Sequence, residues 1–192
     1  REGKPMSARQ PAPETPSPAP ADTGSEPLPQ RIGKYPVKAK IGEGATSEVF
    51  LARDPFRGED VAIKRVRRST LVDAREAHFQ RRFFAAEAAL VGQLHHPNVV
   101  QIRDAVSEDD ELPYLVMEYV PGVTLLRFCR ADALLPLAQV IEVGFKCAMA
   151  LNYCWRQGLI HRDVKPANVL AMLDGDRIID LKISDFGSVF NS

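Results

Sequence analysis

A glycine turn, a lysine set in an apolar strand and two acidic loops follow one another along this chain. They are Gly42-Glu43-Gly44, then Val61-Ala62-Ile63-Lys64, then His161-Arg162-Asp163-Val164-Lys165-Pro166-Ala167-Asn168, then Asp185-Phe186-Gly187. Taken singly, each is weak. Glycine turns close many hairpins, and an H-R-D triplet is often no more than a capped turn. Order and spacing constrain more: Lys64 lies twenty residues after Gly44, and Asp185 lies seventeen after Asn168. An ammonium buried among apolar residues is costly without partners. A fold that buries Lys64 therefore has to supply them.

The chain divides into two unlike parts. Residues 1–32 hold more than half of the 15 prolines, with Ala, Ser, Thr and Glu and almost no large apolar side chain. Such a segment cannot bury enough surface to offset its ordering entropy, so residues 1–32 are expected to be a disordered Pro/Ala-rich tail. No clear P-x-x-P core with a flanking basic anchor stands out in it. Residues 33–192 read as one incomplete domain, with a β-rich lobe over about 33–119 and part of a second lobe over about 120–192.

Lys plus Arg and Asp plus Glu both number 25. Net charge thus gives no pointer to nucleic acid or to a membrane surface. The basic run Lys64-Arg65-Val66-Arg67-Arg68 reads as a solvated strand edge, with Lys64 the exception. No stretch of about 18 apolar residues is present to span a bilayer. Cys129, Cys147 and Cys154 are odd in number and form no C-x-x-C pair; Cys147 and Cys154, seven apart in a helical stretch, read as small core residues, and a reducing cytoplasm fits. His95 and His96 are adjacent without cysteine partners at ligand spacing, so they read as a helix-ending turn rather than a metal site.

Apolar alternation predicts strands over 35–41 and 49–52 flanking the glycine turn, then over 60–66, 99–105 and 114–119. Phe83, Phe84, Glu87, Leu90, Val91 and Leu94 recur at helical spacing and predict a helix over 75–94. Pro97 ends it by disfavouring helical geometry at His96. After Pro121-Gly122 the pattern turns helical. Val140, Ile141, Gly144, Ala148, Leu151 and Trp155 predict one apolar face of a helix over 137–155, which Gly158 is placed to stop. Residues 159–160, 169–171 and 181–183 read as short strands bracketing loops. The junction of the lobes, near 120–122, is where a ligand cleft is expected.

These motifs, from about Tyr35 to Phe190, resemble the eukaryotic-type (Hanks-type) serine/threonine protein kinases. The stretches from Pro113 to Leu125 and from Gly158 to Leu170 look like bacterial members. The resemblance implies an α+β bilobal protein-kinase-like fold, with a complete β-rich upper lobe and the upper part of a helical lower lobe. It also implies transfer of the γ-phosphoryl of ATP to a protein hydroxyl. Phosphates need backbone N–H groups to approach them, and glycine permits that approach. Ile41, Gly42, Glu43, Gly44, Ala45, Thr46, Ser47 and Val49 match the family's phosphate loop, with Ser47 where a third glycine often stands.

By the same resemblance, Lys64 pairs with the α- and β-phosphates and with a helix glutamate. Glu87, ten residues before Pro97, matches that position better than Glu76. Val49 and Ala62 roof the adenine. Met117 stands at the back of the pocket, and Glu118 and Val120 offer backbone groups. Asp163 is the catalytic base, and Lys165 contacts the γ-phosphate, as in the serine/threonine branch. Asn168 and Asp185 hold Mg²⁺, with Mn²⁺ as an alternative. Arg162 is the residue that meets a phosphorylated activation loop in such enzymes.

The expected partner is a protein with a Ser or Thr acceptor, in the cytoplasm, with no nucleic acid and no membrane segment within these residues. The family's activation segment and A-P-E triplet are not found before Ser192. This 192-residue chain is accordingly expected to be poorly stable alone and weakly active on proteins. Two other readings stay open at this point. One is a non-catalytic ATP-binding or scaffolding module, a pseudokinase by truncation, against which stands the intact set Lys64, Glu87, Asp163, Asn168 and Asp185. The other is a kinase-like enzyme acting on a small molecule, against which stands the lysine in the H-R-D-x-K-x-x-N loop.

Overall fold

A computed structural model describes residues 27–68, 92–106, 112–185 and 190–191. Its first unit is a six-stranded antiparallel sheet. The strands are β1 (Arg31–Ile32), β2 (Tyr35–Glu43), β3 (Ser47–Asp54), β4 (Glu59–Val66), β5 (Ile102–Val106) and β6 (Tyr114–Glu118), in the spatial order β1-β2-β3-β4-β6-β5. The sheet takes in Arg31 and Ile32, which the sequence reading assigned to the tail. Ile32 is buried beside Tyr35, which gives this short strand a reason to form.

Register decides which side chains share a face. Phe50 opposes Ile63, Ala52 opposes Val61, and Ile63 opposes Val116. With Ile32, Tyr35 and Tyr114 they form a small apolar core on one side of the sheet. Val49 opposes Lys64, and Lys64 opposes Leu115, so Lys64 points to the other side. The expected strand over 99–105 starts later, at Ile102. Val99 instead makes a lone parallel bridge to Ile183, because the chain there is pinned to a different strand. Of the helix expected over 75–94, residues up to 91 lie outside the described residues, and 92–93 form a turn.

Beyond the sheet, β7 (Val123–Thr124) pairs with β9 (Val169–Asp174), which pairs with β10 (Arg177–Ile183). A two-stranded pair joins β8 (Leu159–Ile160) to β11 (Phe190–Asn191). Short 3-10 turns span Leu125–Cys129 and Pro166–Asn168. Gly122 lets the linker reach β9: a Cβ there would stand 2.1 Å from the carbonyl oxygen of Ala171. Gly122→Ala must therefore push two backbones apart, and should lower stability by about 1–3 kcal/mol. Urea unfolding of the parent and variant measures this, and coincident midpoints would refute it.

Helix α1 (Leu137–Arg156) starts after Pro136 and stops at Gly158, whose φ of +79° suits a glycine in the left-handed region. Which face it buries corrects the sequence reading. Val143, Cys147, Ala150, Leu151 and Cys154 pack on the core, whereas Val140, Ile141 and Trp155 are exposed, the last two by 64% and 66%. Its polar stripe does not mark the solvent side: Gln139 accepts the Ile178 N–H at 2.9 Å and Lys146 donates to the Ile179 carbonyl at 3.2 Å, both on β10. The small residues Ala150 and Cys154 let one side lie close to the strands. Burial pushes the Cys154 thiol up to about 11.

The larger core runs across both units. Val66, Leu94, Val99, Ile102 and Leu115 from the first pack with Ala150, Cys154, Leu159, Val169, Leu181 and Ile183 from the second. This shared core sets the β4 lysine opposite the end of β10. Among the described residues, no helix is long and apolar enough to cross a membrane.

Candidate active site

The glycine turn joins β2 to β3. Gly44 N–H donates to the Ser47 carbonyl at 2.8 Å and closes it. Gly42 faces Val49 across the ladder, where an added Cβ would meet the Val49 Cβ at 3.3 Å. Ile41 is exposed at the mouth, and Ala62, on the neighbouring strand, is buried. Glu43, Ala45 and Thr46 complete the turn between the two strands.

Lys64 leaves β4 on the cleft side. Its Nζ donates to Asp185 Oδ1 at 2.5 Å, across 121 residues of sequence, and its side chain is only 13% exposed. Asp185 sits just past β10 with φ of +65°, a conformation that a non-glycine residue adopts only when its surroundings hold it. Those surroundings are specific. Ser184 N–H and Oγ both donate to the Asn168 carbonyl, at 2.8 and 3.1 Å. The Ser184 carbonyl meets His161 Nε2 at 3.0 Å.

His161 is buried and organises the acidic loop. Its Nδ1 accepts the Asp163 N–H at 3.3 Å while Nε2 faces Ser184, so one ring joins the two acidic loops. Arg162 between them is turned to φ of +61°. Asp163 Oδ2 accepts from Lys165 Nζ at 2.7 Å and from Asn168 Nδ2 at 3.0 Å. Both bonds fall on Oδ2; among the described residues none falls on Oδ1. The Lys165 hydrogen bond is the main reason the Asp163 carboxyl lies below its ordinary value, against a smaller opposing effect of burial. The Asn168 amide nitrogen is used by Asp163, which leaves its Oδ1 as an acceptor.

Lys64, Asp163, Lys165, Asn168 and Asp185 are thus linked through direct bonds or through Ser184. Glu87, Phe186 and Gly187 lie outside the described residues. At the lobe junction, Met117 opposes Ala62 across the ladder and Val120 is buried. Glu118 is used in a way the sequence did not reveal. Its Oε1 accepts Gln101 N–H at 2.8 Å and Lys182 Nζ at 2.9 Å, tying the end of β6 to β10, the strand that leads to Asp185. The one sequence signal for Lys182 was a charge between Leu181 and Ile183 in an apolar run. Among the described residues, no group of three or more His, Cys, Asp or Glu side chains forms a metal cage. Asn168 and Asp185 nonetheless offer amide and carboxylate oxygens, the donor type a hard divalent cation takes.

Comparison with known proteins bears on this arrangement. The protein kinase domain model matches residues 35–191. Serine/threonine-protein kinase PknB of Mycobacterium leprae is 40% identical over 162 residues, which is 83% of this chain and 25% of that protein. Serine/threonine-protein kinase PrkC of Bacillus subtilis is 35% identical over 155 residues, 81% of this chain and 22% of that protein. The crystal structure of the Mycobacterium tuberculosis PknI kinase domain superposes with a TM-score of 0.66 at 31% identity, covering 82% of this chain and 61% of that one. The chain therefore spans about a quarter of the length of the curated relatives it matches.

Proposed function

The chain belongs to the protein kinase family, with bacterial serine/threonine kinases among its relatives, and on that premise we propose that the whole protein moves the γ-phosphoryl of MgATP to a protein Ser or Thr hydroxyl. The observation that carries this reading is the linked set described above. A strand lysine reaches the carboxylate of Asp185, and Asp185 is held next to Asn168 and Asp163 by Ser184 and His161.

In this reading the turn from Gly42 to Ser47 offers backbone N–H groups to the phosphates, and Lys64 neutralises charge on them. Val49 and Ala62 cover the adenine, with Met117, Glu118 and Val120 along its edge. Asn168 and Asp185 hold the divalent ion that the family uses with ATP. When bound, that ion neutralises charge on the transferring group. Asp163 accepts the hydroxyl proton on Oδ1 while Lys165 and Asn168 keep its carboxylate oriented through Oδ2. Lys165 supplies positive charge beside the group in transit.

The test is label transfer in the full-length protein. With γ-labelled ATP, Mg²⁺ and a mixed Ser/Thr/Tyr peptide set, phosphoserine or phosphothreonine is expected. Label on tyrosine alone, or on no peptide, refutes the reading. A finer prediction concerns pH. Lys165 lowers the Asp163 pKa, so Asp163 remains ionised, and competent as a base, further into acid. Removing that cation raises the pKa. The acid limb of kcat/KM should therefore move to higher pH in Lys165→Met, beyond any fall in rate. An unmoved limb in the pH profile contradicts it.

A further inference from the structure

Behind the glycine turn, on the face away from the cleft, five charged side chains alternate in sign across three strands. Arg67 pairs with Glu43. Glu43 Oε2 lies 2.7 Å from Lys40 Nζ, and the same Nζ lies 2.8 Å from Glu48 Oε1. Glu48 Oε2 accepts from Arg65 at 3.2 Å. Glu43 and Glu48 stand directly opposite each other across β2 and β3, and Glu48 stands opposite Arg65 across β3 and β4. Two glutamates in that register repel unless cations lie between them; here Lys40 bridges them. Arg65 is further fixed by stacking over Phe50, 4.9 Å from the ring centroid. The Glu48 and Arg65 side chains are 14% and 16% exposed, so this end of the chain of charges is sheltered from water. The other end holds the turn itself, since Glu43 is its first residue and Arg67 N–H also donates to the Thr46 carbonyl at 2.9 Å.

We propose that the sequence Arg67–Glu43–Lys40–Glu48–Arg65 is an ionic strap that fixes the glycine turn from its outer side, and that Glu48 and Arg67 are positioning residues for nucleotide binding. The strap leaves the cleft side open, because Lys64 points the opposite way from Arg65. It joins the turn to β4, the strand that carries Lys64, so the two phosphate-facing elements hold one spacing before any nucleotide arrives. Pre-setting that spacing removes ordering cost from binding. The nucleotide part of the proposal rests on the function proposed above; the strap itself does not.

The experiment uses the full-length protein with Glu48→Gln, Arg67→Gln and Arg67→Lys. The first readout, without ligand, is hydrogen exchange of the Gly44 amide. Breaking one link in such a network should speed it by about 2–5-fold. Arg67→Lys, which keeps the charge, should restore most of the protection, and β6 amides should exchange as in the parent. Added salt should loosen the turn more in the parent than in Glu48→Gln. The second readout is affinity for a fluorescent MgATP analogue, expected to weaken by the same factor. Gly44 exchange that is unchanged in both Gln variants, with β6 intact, overturns the strap. A full-length parent that binds no nucleotide overturns its link to binding and counts against the kinase reading, while the exchange result still decides the strap.

Discussion

Asp163→Asn is expected to slow phosphoryl transfer by about 10²–10⁴-fold, the usual worth of a positioned general base, with nucleotide affinity nearly unchanged. Asn has the size of Asp and still offers an oxygen to Asn168 Nδ2, so the loop geometry at that bond is preserved. What disappears is the carboxylate. The hydroxyl proton loses its acceptor, and the ion pair with Lys165 becomes a hydrogen bond from the ammonium to a neutral oxygen. Among the described residues, Asp163 makes its side-chain hydrogen bonds to Lys165 and Asn168, not to Lys64 or the glycine turn, so the nucleotide side should be spared. Single-turnover rates and nucleotide titration of the full-length protein separate the two effects. A variant that transfers phosphate at the parent rate would remove Asp163 from the chemistry. One that loses nucleotide as well would make its role structural.

The contrast between Asp163 and Glu118 bears on how far a sequence can be read. Motif spacing marks Lys64, Asp163, Asn168 and Asp185, because residues that meet a phosphate and its metal differ from their apolar flanks. The pairing of Glu118 with Lys182, 64 residues apart, had no such signature. Each looks like an ordinary surface charge until the end of β6 and β10 are seen side by side. The first hairpin was legible since a glycine turn lies between alternating runs. The β9–β10 hairpin extends beyond the short strands expected over 169–171 and 181–183; its two-residue loop is Gly175-Asp176, with Gly at the first central position at φ of +58°. A two-residue strand such as β7 carries too little pattern to read, and its existence depends on Gly122 tolerating the Ala171 carbonyl.

The helix face was the clearest failure, and its reason is energetic. Apolar residues lie on both the buried and the exposed sides of this helix, so the buried side is chosen by which residues allow closest approach, a property of the partner surface. The outcome leaves Ile141, Phe145 and Trp155 exposed on α1.

The shared core makes the second large prediction. Leu181 is fully buried on β10, faces Ala171 on β9, and lies in the cluster that joins Leu94 and Leu115 to Ala150 and Cys154. Leu181→Ala removes side-chain atoms only; its backbone carbonyl still accepts Asn98 Nδ2 at 2.8 Å, so the cost is that of the cavity. That cost is about 2–5 kcal/mol for a buried leucine, a large part of the stability of any small domain. Ile179 lies on the same strand but is half exposed, and Ile179→Ala should shift stability by no more than about 0.5 kcal/mol. Urea unfolding of the full-length protein compares the two. Leu181→Ala should also weaken nucleotide binding, since β10 leads directly to Asp185 and a loosened strand cannot hold that residue in its left-handed conformation. Equal destabilisation by the two variants would show that the two units do not share a core. Lost stability with nucleotide affinity intact would show that Asp185 is positioned by Ser184 and His161 alone.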